Sequence, residues 1–107
     1  MAAIQLNNKE FYELLHSGKP FLVDYWAPWC GYCRRISPAY ERIARDHADM
    51  LTVAKVNIDF EQELARQEHI EVIPTLVLYR DGQALGSIVA PESKAMIEEF
   101  IHRTLEG

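Results

Sequence analysis

At 107 residues the chain has room for one folded domain and little more, so residues 1–107 are read as a single unit. With 49% apolar and 25% charged residues it is neither disordered nor fibrous in composition. The net charge of −5 argues against a nucleic-acid partner, and no apolar run reaches the roughly 18 residues that cross a bilayer.

The first ten residues, Met1 to Glu10, carry neither a basic leader nor an apolar stretch, the pattern of a cytoplasmic chain. Ile4-Gln5-Leu6 is a short candidate strand. Asn7, with Glu10 three residues on, makes a capping box for a helix whose apolar face holds Phe11, Leu14 and Leu15. Gly18 and Pro20 stop it. Phe21 to Trp26, apolar nearly throughout, has the composition of a strand buried on both faces.

After the loop Ala27-Pro28-Trp29, a helix is expected from Cys30 or Gly31 to about Asp46. Its stripe is Cys33, Ile36, Tyr40, Ile43 and Ala44, and Pro38 predicts a kink. Leu51 to Ile58 follows as a second buried strand, then a short helix near Glu61 to Glu68. Thr75–Tyr79 and Ala84–Val89 form a hairpin turned at Asp81-Gly82. Ser93 caps a last helix with Met96, Ile97, Phe100, Ile101 and Leu105 on its apolar face. The order β-α-β-α-β-α-β-β-α predicts an α/β fold. Helices would cover both faces of a mixed sheet, parallel in part and extended by the hairpin.

The chain holds two cysteines, spaced C-x-x-C. So short a loop stabilises little, which calls for a chemical reason instead. Cys30 falls at a helix N-terminus, where unpaired N–H groups and the dipole favour an anion; thiols so placed have pKa values of roughly 3.5–7.5. Cys33 lies one turn further in, toward the core. An exposed Cys30 thiolate would attack a substrate disulfide and a sheltered Cys33 would resolve the adduct.

Asp24 and Lys55 each interrupt an apolar strand. Either they face one another behind the cysteines, with Asp24 as proton acceptor for Cys33, or both reach solvent at strand ends. Arg34 and Arg35 fit a solvated helix face better than a thiolate-stabilising or partner-selecting role. Pro74 precedes a strand, and an X-Pro bond taken alone is expected to be trans.

Three stretches together resemble the thioredoxin family: Val23-Asp24-Tyr25-Trp26-Ala27-Pro28-Trp29-Cys30-Gly31-Tyr32-Cys33, Val53-Ala54-Lys55-Val56-Asn57-Ile58-Asp59 and Val72-Ile73-Pro74-Thr75-Leu76. Arg80-Asp81-Gly82 matches that family's hairpin turn. The resemblance spans nearly the whole chain. It implies the thioredoxin fold, a central mixed sheet of four or five strands flanked by helices. It implies a redox-active Cys30–Cys33 disulfide with no bound cofactor, a buried acid Asp24 and its partner Lys55. It further implies a cis Pro74 facing the cysteines and an Ile73 backbone that holds an extended substrate. Trp29, Gly31, Tyr32 and Ala90 would belong to the same docking surface, with Trp26 packed beside Trp29. Disulfide-containing proteins would be the substrates of a monomer that draws electrons from NADPH through a thioredoxin-reductase-type donor.

Two positions depart from the family pattern. Tyr32 stands where proline is usual, giving Cys-Gly-Tyr-Cys as in some periplasmic disulfide isomerases and predicting a more oxidising pair. Ala90 replaces the usual glycine beside the substrate groove. The rival readings are an oxidase or isomerase, a non-enzymatic protein-binding adaptor, and zinc. Zinc would require a dimer-bridging site, because His16, His47, His69 and His102 supply no suitably spaced pair.

Overall fold

The computed structural model describes residues 2–107. In chain order the elements are β1 (Ile4–Gln5), α1 (Asn8–Ser17), β2 (Phe21–Trp26), α2 (Gly31–Asp46) and β3 (Thr52–Asn57). They continue with α3 (Gln62–Gln67), β4 (Thr75–Arg80), β5 (Gln83–Val89) and α4 (Lys94–Glu106). The strands form one sheet in the order β1-β3-β2-β4-β5. β3 runs parallel to both β1 and β2, and β4 runs antiparallel to β2 and β5. The expected mixed sheet is therefore present, with five strands.

Side-chain alternation along the central strands sorts the core into two layers. Leu22, Val53, Leu76 and Leu78 meet Ile36, Tyr40 and Ile43 of α2 and Ile97, Phe100 and Ile101 of α4 on one face. Phe21, Val23, Tyr25, Ala54, Val56, Val77 and Tyr79 meet Phe11 of α1 and Leu64 of α3 on the other. By the same alternation, Asp24 and Lys55 fall on the α2–α4 face, in direct register with each other. The side chains that fix α2 on the sheet are thus the ones that set what lies beneath Cys33. Tyr40 is fully buried, and its hydroxyl donates to the Ala54 carbonyl at 2.5 Å, tying the middle of α2 to β3.

The caps behave as the sequence predicts. Asn7 and Glu10 exchange both capping-box hydrogen bonds, Gly18 ends α1 at φ 76°, and the Ser93 side chain accepts from the Met96 N–H. Asp81 and Gly82 both have positive φ, as a two-residue hairpin of matching twist requires.

Several boundaries shift. α3 starts at Gln62, because Glu61 serves as its N-cap residue and spends its carboxylate on the Asn8 N–H at 2.9 Å. Strand pairing in β3 stops at Asn57, one residue short. α2 continues through Pro38 to Asp46. The N–H that Pro38 lacks would have bonded the Arg34 carbonyl, and both residues are exposed, so water can serve that group. Met96, expected on the apolar face of α4, is 41% exposed at its edge while Ile97, Phe100 and Ile101 take the core.

Candidate active site

β2 ends at the cysteines. Ala27-Pro28-Trp29 turns the chain from the C-terminal end of the strand into α2, and Cys30 becomes the N-cap residue with extended backbone (φ −87°, ψ 110°). A serine or aspartate oxygen usually accepts the N3 amide from this position. Here the acceptor is sulfur: the Cys33 N–H donates to Cys30 Sγ at 3.2 Å. No acidic side chain lies in the first turn of α2, so nothing there offsets the positive end of the helix dipole. Cys30 and Cys33 form a disulfide with Cα atoms 5.3 Å apart.

The expected contrast between an exposed and a sheltered sulfur is smaller than the spacing suggested. Cys30 is 8% exposed and Cys33 3%. Both pack into a small apolar cluster with Ala27, against Trp26, Ile58 and Ile73. What distinguishes them is their surroundings: Cys30 Sγ accepts the Cys33 N–H, whereas Cys33 lines a cavity shared with Asp24.

Beneath Cys33 lies a cavity of about 60 Å³ lined by Asp24, Trp26, Cys33, Arg34, Ser37 and Lys55. Asp24 is 4% exposed and its Oδ1 has no hydrogen-bond partner within the protein. Burial pushes its carboxyl up to about 7. Lys55 opposes that shift, and Glu41 reinforces it. Although Lys55 sits opposite Asp24 in the sheet, its ammonium pairs with Glu41 at 3.5 Å and lies 4.9 Å from the centre of the Trp26 ring. Glu41 is held in turn by the Ala3 N–H at 2.8 Å. The sequence reading missed Glu41. The signal was there, since Cys33, Ser37 and Glu41 are spaced i, i+4, i+8 along one helix face.

Above the cysteines, the Ile73–Pro74 bond is cis, as the resemblance implied and the isolated dipeptide did not. The Ile73 carbonyl oxygen lies 3.9 Å from Cys30 Sγ. Trp29 is 66% exposed, with its indole N–H donating to both carboxylate oxygens of Asp59 at 3.0 and 3.2 Å. Asp59 was missed as well, and here no pattern could single it out, because its partner is 30 residues away. Gly31 opens α2, and a methyl group there would meet only the Arg34 guanidinium at 3.9 Å, so packing does not demand glycine. Arg34 donates to the Pro28 carbonyl at 2.7 Å, and the Arg35 guanidinium sits 5.9 Å from the centre of the Tyr32 ring. The Tyr32 hydroxyl reaches the Pro91 carbonyl at 3.2 Å.

Ala90 adopts φ 47°, in the left-handed region that favours glycine, while its N–H donates to the Pro74 carbonyl at 3.0 Å. Ala90→Gly is therefore expected to stabilise the protein by about 1 kcal/mol, seen as a rise in Tm of roughly 4–8 °C. A fall in Tm would mean that the Ala90 methyl contributes more by packing than it costs in strain.

Comparison with known proteins agrees with this geometry. The family model described as thioredoxin matches residues 2–103. A thioredoxin of Alicyclobacillus acidocaldarius is 39% identical over 105 residues, covering 98% of this chain and 100% of the relative. A thioredoxin of Mycobacterium tuberculosis is 43% identical over 97 residues, 90% of this chain and 84% of the relative. A bifunctional thioredoxin reductase/thioredoxin of Mycobacterium leprae is 40% identical over 95 residues, which are 88% of this chain and 21% of that protein.

Proposed function

Because the chain belongs to the thioredoxin family, whose members are dithiol–disulfide oxidoreductases, we propose that it runs in the reducing direction on protein disulfides. Cys30 is the attacker and Cys33 the resolver. The observation that carries this assignment is the Cys33 N–H aimed at Cys30 Sγ at the start of α2, an arrangement that favours the anion on Cys30.

In the first step the Cys30 thiolate attacks one sulfur of the substrate disulfide. A Cys30–substrate S–S bond forms, and the other substrate sulfur leaves as a thiolate. Cys33 then gives its proton to Asp24, directly or through a water that the 60 Å³ cavity can hold, and its thiolate attacks Cys30 Sγ. The second substrate sulfur leaves, and the Cys30–Cys33 disulfide carries the two electrons' worth of oxidation. A carboxyl held near 7 is matched to taking and returning a proton at neutral pH. Lys55, locked to Glu41, tunes Asp24 from a distance. Trp29, Gly31, Tyr32, Ile73, Pro74 and Ala90 form the surface on which an extended substrate segment lies, with the Ile73 backbone as its hydrogen-bonding partner.

The disulfide would be re-reduced by a thioredoxin-reductase-type enzyme using NADPH. The fusion of those two activities in the Mycobacterium leprae relative supports such a partner. We place the protein in the reducing cytoplasm, as a monomer acting as one domain. Tyr32 favours a second reading, an oxidase or isomerase, because the residues between the cysteines tune the balance of thiolate and disulfide.

Insulin reduction driven by NADPH and thioredoxin reductase, run beside a dithiothreitol-driven control, tests the proposal. Activity in both is expected. Activity with dithiothreitol alone would remove the reductase partner, and inactivity in both would overturn the reducing role.

A further inference from the structure

We propose that Tyr32 determines substrate specificity by clamping the Ala90–Pro91 segment to the start of α2, which fixes the cleft a folded protein disulfide must enter. This deepens the oxidoreductase reading and rests on it.

The clamp closes a circuit around Cys30. The Tyr32 hydroxyl donates to the Pro91 carbonyl at 3.2 Å, across 59 residues of sequence. The neighbouring Ala90 N–H donates to the Pro74 carbonyl at 3.0 Å, and the Ile73 carbonyl oxygen lies 3.9 Å from Cys30 Sγ. The contacts at Ala90 and Ile73 use backbone atoms that other residues would also supply. The Tyr32 contact alone is made by a side-chain group that depends on residue identity, and phenylalanine or proline at position 32 would lack it.

Packing does not hold the segment by itself. Pro91 is buried and Ala90 half-buried, yet beside them lies a cavity of about 80 Å³ lined by Tyr32, Arg35, Ile36, Pro91, Ser93 and Ile97. Space there lets the segment shift once the hydroxyl is gone. The Arg35 guanidinium lies over the ring, 5.9 Å from its centre, and helps to orient it. Ala90 in turn is held at φ 47°, a conformation that persists only where the surroundings enforce it.

A folded substrate has to lay backbone past residues 73–74 and 90–91, so it meets the ordering cost of a loosened segment. A small disulfide presents little beyond its sulfurs and is largely indifferent to that cost.

Tyr32→Phe removes the hydroxyl and little else. In that variant the Ala90 amide is expected to exchange with solvent about tenfold faster, and KM for insulin to rise about five- to tenfold with a smaller change in kcat. The loss of kcat/KM should be at least fivefold greater for insulin than for hydroxyethyl disulfide. Unaltered exchange at Ala90 would overturn the clamp, and equal losses on the two substrates would overturn its role in specificity. If the unsubstituted protein reduced neither disulfide, the functional reading would fail, and exchange at Ala90 would still decide whether the clamp exists.

Discussion

A Cys33→Ser chain is expected to accumulate as a covalent adduct with its substrate, whereas Cys30→Ser should form none. The two sulfurs are nearly equally buried, so accessibility does not assign their order of action. The assignment comes from the Cys33 N–H and the start of α2, which stabilise negative charge on Cys30 and not on Cys33. With serine at 33 the first exchange still proceeds, the substrate remains attached through Cys30, and nothing inside the protein can displace it. Turnover of insulin should drop to the uncatalysed rate in both variants. Mass spectrometry under non-reducing conditions distinguishes them by the adduct. An adduct on Cys33 in the Cys30→Ser chain would exchange the two roles. A Cys30→Ser chain that kept full activity in any pathway would point to a binding adaptor in place of an enzyme.

The second large effect is on stability. The folded protein keeps the Asp24 carboxyl protonated up to about pH 7, chiefly because burial disfavours the anion, while the unfolded chain releases that proton near 3.8. Between those values the folded state binds more protons than the unfolded one, so stability falls as pH rises. Below about pH 4 the group is neutral in both states and costs nothing; above about 7 the cost is complete. Three pH units correspond to about 4 kcal/mol. Asp24→Asn should therefore stabilise the disulfide form at pH 8 by up to about 4 kcal/mol and leave it nearly unchanged at pH 4. Urea denaturation of both proteins at the two pH values measures the difference. Parallel curves from pH 4 to 8 would show that Asp24 is solvated when charged. The same substitution should remove any inflexion near pH 7 from the insulin-reduction profile, since Cys33 would lose its proton acceptor.

The fold was legible from the sequence because its signals are local. The capping box at Asn7 and Glu10, the glycine stop at 18 and the Asp81-Gly82 turn each depend on neighbours within four residues. The unbroken apolar runs of β2 and β3 marked strands covered on both sides. The site was legible in part. Asp24 and Lys55 stood out as charges in apolar strands, and the crossover rule suggested neighbouring strands, but their direct register is seen only in the sheet itself. Their pairing did not follow, because Lys55 turns to Glu41, whose spacing from Cys33 marks a shared helix face but does not reveal its ion-pair partner. Asp59 beneath Trp29 and Pro91 beside Tyr32 were hidden for the same reason: each contact joins residues 30 or more positions apart, and no periodicity reports it. The left-handed backbone at Ala90 could not be read from the alanine itself; only the glycine usual at that place in the family pointed to it.

One carboxylate, that of Glu41, grips the backbone at Ala3 and the ammonium of Lys55 together. The backbone at Ala3 is thereby wired to the charge balance under the cysteines. A tag fused ahead of Ala3 would pull on that wire, and its trace would be a displaced pH profile of insulin reduction relative to the untagged protein. Where the tag is innocuous, the two profiles superimpose.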